Sequence, residues 1–395
     1  MEGQTPQVAV LFASPGLGIR RLMGGIATVA RRENWVLHGP LGLGFEPVLD
    51  DPAASGFDGV FDFAGTPERV DELRRLGVRV VNLSGGMARP PFPSVWPDNR
   101  KIGRVAADHL VDMGLRRFAY CGDQSAAYSA LRLEGFRERL RERGQPRPTA
   151  LDGIGNLLRN AGAWRTVRGR LTEWLIGLPR PVGILAADDP RAAMLALAAE
   201  QAGLAVPGDV ALIGVNSEGL TCTTAGVDLS SVAFPFTEVG RAAAELMARL
   251  LAGHRVPKSP VLVDEGIVVH GRASTDLVPS PDARIREAVR RIRAEAPHGP
   301  VVCHRLARDL SLSRATLTRG VQEAIGRSPK AEIDRIRLQN VLKLLAETDW
   351  PVKRLAFETG WDSAENLARF LRIHTGLSPT GHRARSRPTS SVVSP

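Results

Sequence analysis

The feature that most limits what this chain can fold into is an alternation that runs for roughly 270 residues and then stops. Residues 7–13, QVAVLFA, form a short apolar run between breakers and predict a buried strand. Ile19, Leu22, Met23, Ile26, Val29 and Ala30 follow at helical spacing. The same pair of signals recurs down the chain. Further strands are expected at 59–63, 79–83, 117–121, 182–186, 210–215 and 261–269, and helices at 67–76, 101–113, 130–143, 163–176, 190–202 and 238–252. Short strands separated by helices of this length predict parallel sheets covered on both faces. That is too much for one small sheet. Two similar lobes are expected, with a ligand crevice at the carboxyl ends of the strands.

Residues 273–284, ASTDLVPSPDAR, carry Ser, Thr, Pro and Asp without apolar periodicity and read as a linker. Beyond it the strand signal is gone. The expected organisation is a ligand-binding domain at 1–272, the linker at 273–284, an all-helical domain at 285–385 and a frayed tail at 386–395. Charge follows the same division. Of 52 basic and 42 acidic residues, positions 1–283 hold 31 of each, so the whole net charge of +10 lies in 284–395. A neutral body joined to a basic end suggests a sensing domain coupled to one that binds a polyanion. Cys121, Cys222 and Cys303 are too few and too scattered for a disulfide framework. No signal peptide and no apolar run of membrane-spanning length is read, so a soluble, cytoplasmic chain is expected.

The basic end contains two similar stretches. His304–Ile325 reads as helix, tight turn, helix, with Leu306, Ala307 and Leu310 inside the first helix and Ser313 capping the second, where Leu317, Val321 and Ile325 recur. Val352–His374 repeats the plan. Leu355 and Ala356 repeat the Leu–Ala pair, Gly360 suits the turn, Asp362 or Ser363 can cap, and Leu367, Phe370 and Leu371 face inward. Ser313 and Asp362 are 49 residues apart. Lys330–Glu347 between them reads as one amphipathic helix, which would span roughly 27 Å. Two helix-turn-helix units so spaced fit adjacent major grooves on one face of double-stranded DNA, about 34 Å apart.

Here a family resemblance becomes specific. LARDLSLSRATLTR, RIRLQNVLKLLAETD and VKRLAFETGWDSAENLARFLRIHTGLSP, together covering 305–379, resemble the DNA-binding domain of the AraC/XylS transcription regulators. The chain departs from that pattern at Ser311 (for a turn glycine), Val321 (for Phe) and Leu367 (for an aromatic). The resemblance implies that Arg314, Ala315 and Thr318 in the first unit, and Ala364, Glu365, Ala368 and Arg369 in the second, reach base edges. Arg319, Arg369 and Arg372 are equally well read as phosphate clamps.

The first 272 residues resemble the LacI/GalR effector domain, which has the periplasmic-binding-protein fold. The matching stretches are FDGVF, DNRKIGRVAADHLVDMG, SALRLEGF, VGILAADD, GLAVPGDVALIGVN and LSSVAFPFTEVG. An effector domain followed by an AraC-type domain resembles the xylose-regulator branch. The fold class expected is therefore an α/β two-lobed periplasmic-binding-protein-like domain followed by an all-α domain with two helix-turn-helix motifs. The resemblance implies a pocket in which Arg132, Asp188 and Asn216 hold hydroxyls, Trp164 stacks on the ligand and Phe234 lines the cleft. Trp96 either lines it too or packs in the core. Asn216 stands where an acid is usual, and Phe234 often faces a polar counterpart. Both make the pocket less acidic and more apolar, so a methylated, deoxy or otherwise less polar sugar would suit it.

Other signals carry less. Asp188 and Asp189 are adjacent on a strand end and point apart, which does not suit a catalytic pair. His298, Cys303 and His304 lack zinc-ligand spacing. Gly16, Gly18 and Gly24–Gly25 match no phosphate fingerprint and are read as the turn at the cleft rim. The run Arg137–Arg147 is read as a solvated face of mixed charge. The function expected is a DNA-binding regulator, not an enzyme and without cofactor or metal, controlled by a small carbohydrate. It is expected as a homodimer, with RNA polymerase a further partner and no membrane association. The alternatives are a DNA-binding protein whose first domain only dimerises, and a transport binding protein.

Overall fold

The computed structural model describes residues 5–11, 17–39, 56–153 and 164–386. The chain divides into two compact units, 1–277 and 278–395. In the first unit, β1 (Gln7–Val10), α1 (Leu17–Arg32), β2 (Val36–His38), β3 (Gly59–Asp62), α2 (Pro67–Arg75) and β4 (Arg79–Asn82) build one lobe, with parallel strands in the order β2-β1-β3-β4. The chain then runs through β5 (Val95–Pro97) into a second lobe. This contains α3 (Asn99–Asp112), β6 (Phe118–Cys121), α4 (Ala127–Glu142), β7 (Thr149–Leu151), α5 (Trp164–Gly177), β8 (Val182–Ala186), α6 (Asp189–Gln201), β9 (Val210–Val215), α7 (Gly219–Thr224) and β10 (Ser230–Ala233). Helix α8 (Phe236–Leu251) returns to pack on α1, β11 (Val261–Val263) pairs with β5, and β12 (Val268–His270) closes the second sheet. The second sheet runs β12-β10-β9-β8-β6-β7, parallel except for β12, which is antiparallel to β10. The chain crosses between lobes three times, after β5, β10 and β11.

Every residue of β8 and β9 is buried, as strands covered on both faces require. Their helices start where a side chain can satisfy free amides. Asp98 accepts from the Lys101 amide (3.0 Å) ahead of α3, and Asp188 from the Arg191 amide (3.0 Å) ahead of α6. Two helix pairs approach closely enough that only glycine fits. A Cβ on Gly25 or Gly240 would lie 2.0 Å from the Thr237 or Leu22 carbonyl oxygen, joining α1 to α8. Gly103 and Gly135 do the same for α3 and α4. Gly18, Gly24 and Gly25 thus lie within α1 and not in a turn at the rim; Gly16 is outside the described residues. The stretch 261–269, expected as one strand, is two strands in different sheets. Gly266, at φ 73°, turns the chain between them. The linker expectation is also corrected at its start. Ala273–Thr275 form a 3-10 turn, and Ser274 is fully buried, donating to the Leu212 carbonyl (2.6 Å).

The second unit is helical throughout: α9 (Ala283–Glu295), α10 (Cys303–Asp309), α11 (Arg314–Ile325), α12 (Pro329–Glu347), α13 (Val352–Glu358), α14 (Ala364–Thr375) and α15 (Pro379–Ser386). It has two small cores. Ile285, Val289, Ile292, Leu306, Leu317 and Val321 fill the first, and Leu355, Ala356, Leu367 and Leu371 the second. Helix α12 serves both, giving Ile333 to one and Val341 and Leu345 to the other. No helix among the described residues is long and apolar enough to cross a membrane.

Candidate functional site

The cleft of the first unit lies where the parallel strands of both lobes end. On the second lobe, Asp188, Asn216 and Phe234 follow the ends of β8, β9 and β10, three neighbours in the sheet. Arg132 reaches the same edge from α4. It is 4% exposed, donates from Nε to Asn99 Oδ1 (2.9 Å) and from a terminal nitrogen to the Ala187 carbonyl, and lies 5.0 Å from the Tyr128 ring centre. It faces no carboxylate partner at hydrogen-bond distance among the described residues. Burial pulls its guanidinium below the ordinary arginine value. Asp188 is already engaged, capping α6 and ion-paired with Arg191. Asp189 is fully buried, accepting from Ser231 Oγ (2.6 Å) and the Glu218 amide (2.7 Å). Burial pushes its carboxyl up to about 6. Asp189 therefore braces β9 and β10, and the two aspartates face different partners.

Asn216 and Ser217 have φ of 109° and 53°, a region that L residues rarely adopt and that costs about 1–3 kcal/mol each. The strain is held by the Asn216 amide donating to the Val232 carbonyl (2.9 Å) and the Ser217 amide to Ser231 Oγ (2.9 Å). His270 and Arg272 contact the Ser217 hydroxyl. Phe234 stacks on Phe236 at 4.2 Å between ring centres. Trp96 is 4% exposed in β5, and its buried indole nitrogen has no hydrogen-bond partner among the described residues. Trp164 opens α5, with its side chain outside the described residues. Sequence reasoning missed Asn99, Tyr128, Arg191 and Ser217. The polar residue directly after the Asp98 cap was the available sign for Asn99.

The lobes are also joined by main-chain hydrogen bonds. Helix α4 has no side-chain cap. Its first amides, on Ala127 and Tyr128, donate to the carbonyls of Gly86 (3.1 Å) and Gly85 (2.8 Å), in the loop after β4 of the other lobe.

In the second unit the two helix-turn-helix hairpins are α10–α11 and α13–α14. Ser313 caps α11 by accepting from the Thr316 amide (3.0 Å), and Ser363 caps α14 by accepting from the Asn366 amide (3.2 Å). The cap is Ser363 and not Asp362, so the caps are 50 residues apart (363 minus 313) and not 49. Gly326 and Gly376 end the two recognition helices in left-handed conformation, and each is followed by x-Ser-Pro, GRSP and GLSP. This second copy of the closing tetrapeptide was readable in the sequence and marks the internal repeat. The turns are also alike, with Ser311 (φ 54°) and Gly360 (φ 65°) in the same conformation.

Arg314, Ala315, Thr318 and Arg319 are exposed on one face of α11, opposite buried Leu317 and Val321. On α14, Glu365, Arg369 and Arg372 are exposed, and Ala364 and Ala368 are half-buried. Arg314, Arg319 and Arg372 have no acidic partner among the described residues, while Arg369 donates to Asn366 (3.0 Å). Glu365 sits in the first turn of α14, where its own backbone amide and Ser363 hold its carboxyl below the usual range. Two short helices thus present cationic outer faces, the charge a phosphate backbone needs.

Comparison with known proteins agrees with both units. Residues 107–275 match the family model of the periplasmic binding protein-like domain, and 306–385 match that of a helix-turn-helix domain. The chain is 28% identical over 337 residues to the xylose operon regulatory protein of Haemophilus influenzae, covering 82% of this chain and 84% of that one. It is 28% identical over 333 residues to that of Escherichia coli K12, covering 82% and 83%. The chain is a DNA-binding transcription regulator homologous to these proteins. Its fold agrees with the solved structure of the xylose-binding transcription activator XylR over 98% of this chain and 99% of that one (TM-score 0.60, 24% identity). The fold also matches a CelR–cellobiose complex over 69% of this chain and 85% of that one (TM-score 0.52, 22% identity). The regulator therefore has its helix-turn-helix domain after the periplasmic-binding-protein-like domain, the order in which the chain resembles the xylose-regulator branch.

Proposed function

We propose that a small carbohydrate binds the first unit's cleft and changes how the second unit engages DNA. The observation that carries this reading is the buried Arg132 at the strand ends beside Asp188, Asn216 and Phe234, on a chain homologous over most of its length to xylose operon regulators. A guanidinium, a carboxylate and a carboxamide supply hydroxyl partners, and Phe234 an apolar face. With Asn216 neutral and Asp188 tied to Arg191, a neutral sugar of modest polarity fits better than a cationic ligand. The ligand acts by binding the open and closed cleft with different affinity. On this reading the protein is a cytoplasmic homodimer that meets RNA polymerase at its promoter.

Calorimetry of the full chain against a panel including D-xylose and cellobiose, followed by promoter binding with and without the ligand found, tests this. One sugar is expected to bind, and Arg132→Met to weaken it about 10–100-fold, the loss of charged hydrogen bonds. Silence across the panel would favour a first unit that only dimerises. On the DNA side, Arg314→Ala is expected to cost about 1–3 kcal/mol on the specific site if it reads a base. An equal loss on all sequences assigns it to phosphate.

A further inference from the structure

The five arginines of the 137–147 run divide into two groups. Arg139 and Arg143 are neutralised within the fold by Asp108, Asp112 and Glu142. Arg137, Arg141 and Arg147 have no ion pair among the described residues, and together with Gln124, Ala130, Glu134, Glu138 and Gln145 they line a groove of about 520 Å³. The two carboxylates do not balance them. Glu134 pairs with Arg100, and Glu138 with Arg100 and Arg104. The groove lies away from the cleft: Arg137 is five residues beyond Arg132 on α4, about 140° round the helix.

We infer that this groove is a second ligand site, taking the phosphate monoester of a small polyol. The Nε of Arg137 is buried and has no hydrogen-bond partner among the described residues, a donor left unsatisfied beneath the groove. Arg137 is held below the ordinary arginine value by burial and by the charge of Arg147, a crowding that a bound dianion would relieve. Gln124 and Gln145 each donate one bond to the protein, to Asp152 and to the Arg143 carbonyl, leaving carboxamide oxygens for hydroxyls. The volume is that of a small-molecule site. Glu134 and Glu138, which also line the groove and pair with Arg100 and Arg104, would repel an extended polyanion such as DNA and leave room for a compact phosphate flanked by hydroxyls.

The full chain should be titrated calorimetrically with glucose 6-phosphate, glucose and inorganic phosphate at 0.15 M salt. Saturable binding of the ester is expected, at least 10-fold weaker for inorganic phosphate and lost in Arg141→Gln/Arg147→Gln. Both changed residues are exposed, so the variant's unchanged melting curve would show that it folds. Absence of ester binding, equal binding of inorganic phosphate, or binding that survives the double variant would each overturn the assignment. Ester binding that survives it but disappears in Arg132→Met places the ester in the cleft.

Discussion

Replacing Glu332 by alanine is expected to destabilise the second unit by about 3–5 kcal/mol, the scale for removing one partner of a buried ion cluster. Glu332 is fully buried on α12 beside Arg293 (3.5 Å), Arg327 (2.5 Å) and Arg335 (2.8 Å). Arg293 comes from α9, Arg327 from the turn after α11 and Arg335 from the next turn of α12. One carboxylate therefore ties the first hairpin to its supporting helices. Alanine would leave three guanidiniums crowded in a site that water reaches poorly. Burial alone would raise this carboxyl, but the hydrogen bonds and charges of Arg335 and Arg327 outweigh it and hold it at about 2, against 4.5 for an ordinary glutamate. The sign follows. A depressed folded value means that the stabilisation, roughly 3 kcal/mol, is fully present above pH 4.5 and is lost as pH falls through 2. Hydrogen exchange of α9–α12 amides measures it, with the first unit as internal control. Wild-type protection in Glu332→Ala would refute the cluster's role.

Gly360→Ala is expected to cost about 2–4 kcal/mol, combining a left-handed non-glycine residue with overpacking. At φ 65°, an added Cβ would sit 2.5 Å from the His298 carbonyl oxygen and from Gly299 Cα, both main chain and unable to swing aside. The same turn is held by Arg337, which donates to the Thr359 (3.2 Å) and Gly360 (3.0 Å) carbonyls and lies 3.8 Å from the Trp361 ring centre. Displacing it would tilt α14 away from its support. Ser311, the matching residue of the first hairpin, is exposed in the same conformation. Ser311→Gly should therefore stabilise by about 0.5–1 kcal/mol through relief of that strain. Chemical denaturation of the two variants gives opposite shifts. Shifts of the same sign would show that the two turns are not built alike.

Strands β8 and β9 were legible to the residue because burial on both faces leaves an unbroken apolar run. The helix-turn-helix hairpins were legible because caps, left-handed turn residues and inward leucines sit at fixed offsets. The three-residue strands β2, β5 and β7 were not, since three residues show no period. The break at Gly266 was hidden because both sides of it are valine-rich. In the cleft, residue types told which side chains could bind a sugar but not which were already occupied. Asp188 reads as a free acceptor until Arg191 is seen against it. Glu332 failed in the opposite way. In a helix read as amphipathic, a charged residue is placed in solvent, and only the convergence of three arginines from separate elements accounts for its burial.

The bonds from the α4 amides to Gly85 and Gly86 use no side chain. Inheritance can redesign every wall of the cleft, and with it ligand preference, without erasing this fastening. Its grip can be altered only by reshaping the loop, and there is little room for that. A Cβ on Gly85 would meet Tyr128 at 3.0 Å, and one on Gly86 the Gly65 carbonyl oxygen at 2.9 Å. What the cleft recognises can thus change by substitution of its side chains while this main-chain contact between its two sides stays.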